Sequence, residues 1–204
     1  GKVLTPYYFL NMAHKTGLYF KLTSTIVYKS FEFFRDKSIE FSVNISAKDI
    51  LDETTKRIIL NNVKTFPKPE LIVFEILESE GINNFSEIIS FIKAVKEMGC
   101  KIAIDDFGSG YSNFERISQL EVDYVKIDGS LIKNIDTNQN NEILVQTIVD
   151  FSKKIGIKTI AEFVHSESVY KKVEELGIDY AQGYYIGEPS PDLVITHKLK
   201  SNKN

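Results

Sequence analysis

From about residue 39 onward this chain alternates two hydrophobic periods, and neither period occurs twice in succession. Runs of period two read as strands: IEFSVNIS, ELIVFEILES, KIAIDD, DYVKID, IKTIAEF and DYAQGYYI. Between them lie runs of helical period: AKDILDETTKRIILNNV, FSEIISFIKAVKEMGC, SNFERISQL, NNEILVQTIVDFSKKIG and SESVYKKVEELG. A further helical run, PYYFLNMAHKTGLYFKLTSTIVYKSFEFFR, precedes the first strand, with Pro6 suited to a first turn and Gly17 to a break. Ser86 suits a helix N-cap, and Gly99 a helix stop. Strict strand–helix alternation requires right-handed crossovers, so the expected fold is α/β with a parallel sheet covered by helices.

Two architectures satisfy that pattern. The number of strands, taken alone, suits an open doubly wound sheet better than a closed (β/α)8 barrel. The polar residues decide otherwise. Each strand delivers a polar group near its C-terminal end: Asn44, Glu75, Asp105 with Asp106, Lys126, Glu162 and Gln182. A doubly wound sheet concentrates its site at one switch point, whereas a barrel brings every strand end to one face. The expected fold is therefore barrel-like.

Length, charge and cysteine usage narrow the function. The 204 residues suit a single domain over residues 1–204, with 192–204 read as a frayed polar tail. A net charge of −3 without a basic stripe argues against a DNA or RNA polymer as partner. Cys100 is the only cysteine and reads as a small buried residue in a reducing compartment. No apolar run reaches the roughly 18 residues of a membrane span, and no signal peptide opens the chain. A cytoplasmic domain without membrane contact is expected, in a parent protein that an anchor elsewhere would tether.

Converging carboxylates repel one another unless some are protonated or cations sit among them. Oxygen donors from Asp, Glu and Asn, without a His or Cys cluster, suit Mg²⁺ or Mn²⁺ far better than zinc. Adjacent aspartates suit a pair of cations about 4 Å apart, the arrangement used for in-line attack on phosphodiesters. A lysine at the next strand end suits the charge that develops on phosphate. Against this stands the bland reading of each residue singly, as a helix cap, a solvated loop carboxylate or a snorkelling lysine. The run Gly108, Ser109, Gly110 and Ser112 lacks the full phosphate-loop pattern and reads as a mobile loop over the site. His14, His165 and His197 do not stand at ligand spacing.

VNIS, FEILES, AIDDFGSGYSN, YVKID, IAEFV and QGYYIGEP, in this order and spacing, resemble the strand-end motifs of EAL domains, the bacterial cyclic-di-GMP phosphodiesterases. The match runs from about Thr5 to Pro191. It implies a (β/α)8 TIM-barrel-like fold with one reversed strand, and hydrolysis of cyclic di-GMP to linear pGpG with two Mg²⁺ or Mn²⁺ ions. By position it makes Asn44, Glu75, Asp105, Asp106 and Glu162 metal ligands, and Lys126 and Glu162 the catalytic pair. Ser46, Gln182 and Pro189 become substrate contacts. Glu78 becomes the support of the loop from Phe107 to Asn113, which holds Gly108, Ser109 and Gly110. It also implies a homodimer and an upstream sensor or GGDEF-type domain.

The sequence departs from the family pattern in three places. The segment with the glutamate, alanine and leucine that name the family is absent, as are two strands that precede the helix starting near Pro6. The chain is therefore expected to be a trimmed piece with little or no catalysis alone. Glu162-Phe163-Val164-His165 stands where the family reads Glu-Gly-Val-Glu, so Phe163 is expected to crowd the site and His165 to replace a supporting acid. Leu77 stands where the family has threonine. These changes keep two other readings beside the hydrolase: a catalytically inactive cyclic-di-GMP receptor, and a protein-interaction module.

Overall fold

The computed structural model describes residues 10, 12–13, 15–78, 85–110, 114–190 and 192–193. The expectations for Pro6, His14, Ser112, Asn113, His197 and residues 194–204 lie outside these.

Helix α1, Tyr19–Phe34, begins after the expected break, where Gly17 takes a φ of +71°. It buries Thr23, Val27 and Phe31, one stripe at a spacing of four. Strand β1, Phe41–Asn44, is followed by α2, Ala47–Leu51, and α3, Glu53–Thr65. The expected single helix over 47–63 is thus two. Asp52 leaves the helical region (φ −77°, ψ 107°), ends α2 and caps α3 by accepting the Thr55 N–H at 2.8 Å. Strand β2, Ile72–Leu77, leads to α4, Phe85–Glu97, and Gly99, with a φ of +100°, stops that helix as expected. Ser86 lies inside α4 rather than capping it.

Strand β3, Lys101–Phe107, is followed by α5, Phe114–Leu120, and by β4, Tyr124–Ile127. A short α6, Gly129–Ile132, was not expected; the Asp128 carboxylate caps it by accepting the Ser130 N–H at 3.0 Å. Helix α7, Gln139–Ile155, strand β5, Lys158–Ala161, helix α8, Glu167–Glu175, and strand β6, Tyr180–Ala181, complete the order. The strand expected over 179–186 is therefore only two residues long. Gly183 packs so close to the Val164 backbone that a Cβ there would lie 2.3 Å from the Val164 carbonyl oxygen. The chain turns at that contact, and the Tyr185 N–H donates to the Val164 carbonyl at 3.0 Å.

All neighbouring strands are parallel, and the order of the six-stranded sheet is β1-β2-β3-β4-β5-β6. A doubly wound sheet would reverse direction at a switch point; an order that follows the chain is that of a barrel. Among the described residues β1 and β6 do not pair, so the barrel is open along one side. Alternation along each strand separates two surfaces. Ile72, Phe74 and Ile76 of β2, Ile102 and Ile104 of β3, and Val125 and Ile127 of β4 are buried against the helices. Val73, Glu75, Ala103, Tyr124, Lys126 and Ile160 face the barrel interior, where they line a cavity of about 600 Å³.

Candidate active site

The adjacent aspartates pose a geometric problem. Successive side chains of a strand point to opposite faces, so one of the pair should have left the interior. The β3–β4 register solves it. Ala103 and Ile104 pair with Tyr124 and Val125, but Phe107 pairs with Ile127, which leaves one extra residue on β3. Asp106 absorbs it with a φ of +58°, a left-handed conformation that Asp tolerates better than most residues. As a result Asp105, Asp106 and Glu162 each place a carboxylate oxygen within 4.8 Å of the others. Phe107 returns to the outer face, 1% exposed.

Gly108 holds the next step of this turn. Its φ is +96°, and a Cβ would lie 2.5 Å from Leu131 Cδ1, so a side chain here would be strained and would have to displace that methyl. Its N–H donates to Glu78 Oε2 at 3.4 Å, and the Ser109 N–H donates to the Asp106 carbonyl at 3.2 Å. Glu78 thus meets the start of the loop that the family resemblance pairs with it. Ser109 and Gly110 are exposed.

Lys126 lies at the centre of the strand ends, 4% exposed. Its Nζ is 3.1 Å from Glu75, 2.7 Å from Asp105 and 2.8 Å from Glu162. Burial alone would lower its pKa. The hydrogen bonds to Asp105 and Glu162 and the charge of Glu75 outweigh burial and hold the ammonium above its ordinary value. Glu162 is raised, first by burial and then by Asp105 and Asp106, against the pull of Lys126. Asp106 is raised by burial, then by Asp105 and Asp128. One ammonium thus faces Glu75, Asp105, Asp106 and Glu162, and burial together with the surplus negative charge holds Asp106 and Glu162 above the ordinary carboxylate range. An added cation would relieve that crowding. The donor atoms are carboxylate oxygens without His or Cys, which fits a hard divalent ion.

The remaining candidates fall at different distances from this centre. Asn44 sits opposite Glu75 in the β1–β2 register. Gln182 lines the cavity with Glu75 and Lys126, and its backbone ties β5 to the next turn: its N–H donates to the Ala161 carbonyl at 2.8 Å, and its carbonyl accepts the Val164 N–H at 3.0 Å. Pro189 is exposed, one residue beyond the cavity-lining Glu188. Ser46 caps α2. Its hydroxyl lies 2.7 Å from Asp49 Oδ2 and 3.0 Å from the Tyr19 hydroxyl, while Asp49 Oδ2 also accepts the Ser46 N–H at 2.9 Å. That capping box was legible as S-x-x-D, although the sequence reading did not single out Asp49. His165 turns away from the carboxylates, with Nε2 2.9 Å from the Lys133 carbonyl. Phe163 likewise does not crowd the cluster. It takes a φ of +57°, stands half exposed on the rim and rests against Gly129. A left-handed conformation costs about 1–2 kcal/mol for a residue with a Cβ. Gly129 and Lys133 had no legible signal, because their partners are about thirty residues away.

The EAL domain family model matches residues 1–189. The chain is 32% identical over 199 residues to the cyclic di-GMP phosphodiesterase PdeB of Shewanella oneidensis, covering 94% of this chain and 23% of that protein. It is 30% identical over 200 residues to the cyclic di-GMP phosphodiesterase PdeF of Escherichia coli, covering 93% of this chain and 26% of that protein. The chain therefore spans about a quarter of the length of these curated relatives. Among solved structures, the PaMucR phosphodiesterase in complex with c-di-GMP superposes with a TM-score of 0.86 at 26% identity, covering 92% of this chain and 85% of that one. The FimX EAL domain from Pseudomonas aeruginosa bound to c-di-GMP gives 0.86 at 25% identity, covering 93% and 78%. Fold and site together define a barrel with an acidic, cation-compatible centre at its strand ends. The chain belongs to the EAL domain family.

Proposed function

We propose that the protein hydrolyses cyclic di-GMP to linear pGpG at this centre, with Mg²⁺ or Mn²⁺ as cofactor. The observation that carries the reading is Lys126, buried among Glu75, Asp105 and Glu162, with Asp106 turned into the same space. The relatives named above are phosphodiesterases of this nucleotide. Asp105, Asp106 and Glu162 would hold the cation, with Asn44 and Glu75 on the neighbouring strand ends. When bound, such a cation neutralises phosphate charge and makes water a stronger nucleophile at neutral pH.

The chain's own groups carry the rest. Glu162, 2.8 Å from Lys126 at the strand ends, accepts the proton of the attacking water. Lys126 stays charged throughout and stabilises the charge that grows on the phosphoryl oxygens. The water oxygen bonds to phosphorus as the bond from phosphorus to the 3′-oxygen breaks. The 3′-oxygen leaves with a proton from solvent, and the ring opens to a single 5′-phosphate. Gln182, beside Glu75 and Lys126 on the cavity wall, orients the nucleotide.

The test is incubation of the protein, as its gene encodes it, with cyclic di-GMP and Mn²⁺, followed by chromatography. Appearance of pGpG, abolished by a chelator, is the expected result. Intact nucleotide overturns the hydrolase reading. Equilibrium dialysis on the same sample would then separate a receptor, which retains the nucleotide, from an interaction module, which does not.

A further inference from the structure

Among the described residues, Asp106, Glu121 and Phe163 are the non-glycine residues with positive φ. Asp106 belongs to the acidic centre, and Phe163 directly follows Glu162. The turn that carries Phe163 is fixed at nearly every residue. The Glu162 N–H donates to the Ile127 carbonyl at 3.2 Å. Val164 is fully buried, donates to the Gln182 carbonyl at 3.0 Å and accepts from the Tyr185 N–H at 3.0 Å. His165 is anchored on the Lys133 carbonyl at 2.9 Å. Between these fixed points only Phe163 carries backbone strain, and its side chain is braced. The His165 ring packs edge-on at 5.6 Å, the Lys133 ammonium lies 5.9 Å from the ring centre, and the Phe163 Cβ occupies the space above Gly129. A Cβ at Gly129 would lie 2.9 Å from the Phe163 Cβ, closer than packed carbons approach, and 3.4 Å from its Cγ.

We infer that Phe163 is a positioning residue for Glu162: its ring, seated over Gly129, holds the turn in the left-handed conformation that aims the Glu162 carboxylate at Asp105, Asp106 and Lys126. The reason is torsional. The direction in which a strand-end side chain leaves the barrel wall depends on the rotation of the peptide that follows it. At residue 163 an L side chain resists the required rotation and a glycine does not. Phenylalanine is therefore tolerated here only with its anchors, and the anchors need position 129 to lack a side chain. The inference rests on the reading of Glu162 as a cation ligand.

This predicts an order of variants opposite to that of ordinary packing. Phe163→Ala keeps the strained Cβ and loses the anchors, so Mn²⁺ affinity should fall about tenfold, as when an outer support of a ligand is removed. Phe163→Gly loses the anchors and the strain together and should bind Mn²⁺ within about twofold of the unaltered protein. Gly129→Ala pushes on Phe163 and should weaken Mn²⁺ about tenfold, whereas Gly129→Ala combined with Phe163→Gly should recover. In turnover, the weakened variants should lose kcat with little change in KM.

The experiment is calorimetric titration of Mn²⁺ into these variants of the whole protein, without nucleotide, beside thermal melts and steady-state kinetics. The expected result is that Phe163→Gly exceeds Phe163→Ala and suppresses Gly129→Ala. Losses that grow from Ala to Gly at residue 163, or a double variant no better than Gly129→Ala, overturn the inference. Should Gly129→Ala fail to fold, the pair at residue 163 decides alone. Should the unaltered protein bind no Mn²⁺, the inference falls with its premise. Binding without turnover would remove the hydrolase reading and leave this order of affinities still to be read.

Discussion

The two faces of the sheet are encoded in the same strands, residue by residue, yet they obey different rules. In β2 the outward residues Ile72, Phe74 and Ile76 are at most 2% exposed and belong to the hydrophobic core, whereas Glu75 between them faces Lys126. The outer face gains from burial, about 1.5–3 kcal/mol for each large side chain. The inner face, at its C-terminal end, holds like charges at close range and sets the Lys126 ammonium among them. Because the two sets alternate, one residue can be changed with little effect on the other set. Stability and chemistry should therefore separate experimentally.

The sharpest separation is expected at Asp105. Replacing it with Asn should lower turnover of cyclic di-GMP by about a thousandfold or more, since both the cation and Lys126 lose a charged partner. Circular dichroism and thermal melting should show an unchanged fold, and undiminished turnover would remove Asp105 from the centre. Phe74→Ala is the converse case. It should cost about 3–5 kcal/mol in denaturant unfolding, because Phe74 is fully buried and packs edge-on to Phe91 at 5.9 Å. The kcat of the molecules that remain folded should not move. A parallel fall in kcat would show that the two faces are coupled.

Lys126→Ala should reduce kcat about a hundredfold while KM changes little, because the charge it stabilises is greatest in the transition state. Equal losses in kcat and in nucleotide affinity would make it a plain binding residue. The smallest effect concerns protons. Asp106 and Glu162 are both raised, so the cation-free fold holds protons that the unfolded chain has already released at the same pH. Their contribution to stability is present below the ordinary carboxylate range and is lost as pH rises through the raised values. Mn²⁺ should then displace more protons at acid pH, where the raised groups still hold them, than at alkaline pH, where they do not. Calorimetry in buffers of different ionisation enthalpy measures that difference.

Much of this arrangement was legible because alternation and strand ends are local signals. The placement of Glu75, Lys126 and Glu162 followed from the polar group near the C-terminal end of each strand, and the same convergence, rather than strand–helix alternation alone, pointed to the sequential strand order. What escaped the sequence depends on partners far along the chain. Phe163 was expected to crowd the site and His165 to replace a supporting acid, but Phe163 takes φ +57° and stands half exposed, and the His165 ring is held at the Lys133 carbonyl. Strand β6 ends early because Gly183 meets Val164, a contact that no period encodes. The bulge that turns Asp106 inward left only a trace, in the glycine two residues later. The break at Asp52 was signalled by its capping of Thr55 and was hidden by the continuous apolar period around it.

The most direct test is the anomalous signal of Mn²⁺ in crystals of the protein grown with the ion. The account predicts a peak bounded by Asp105, Asp106 and Glu162, at the C-terminal end of the inner face. No peak there, or one only at the opposite end of the cavity, where the Tyr124 hydroxyl donates to Glu40 Oε1 at 3.2 Å, would contradict it.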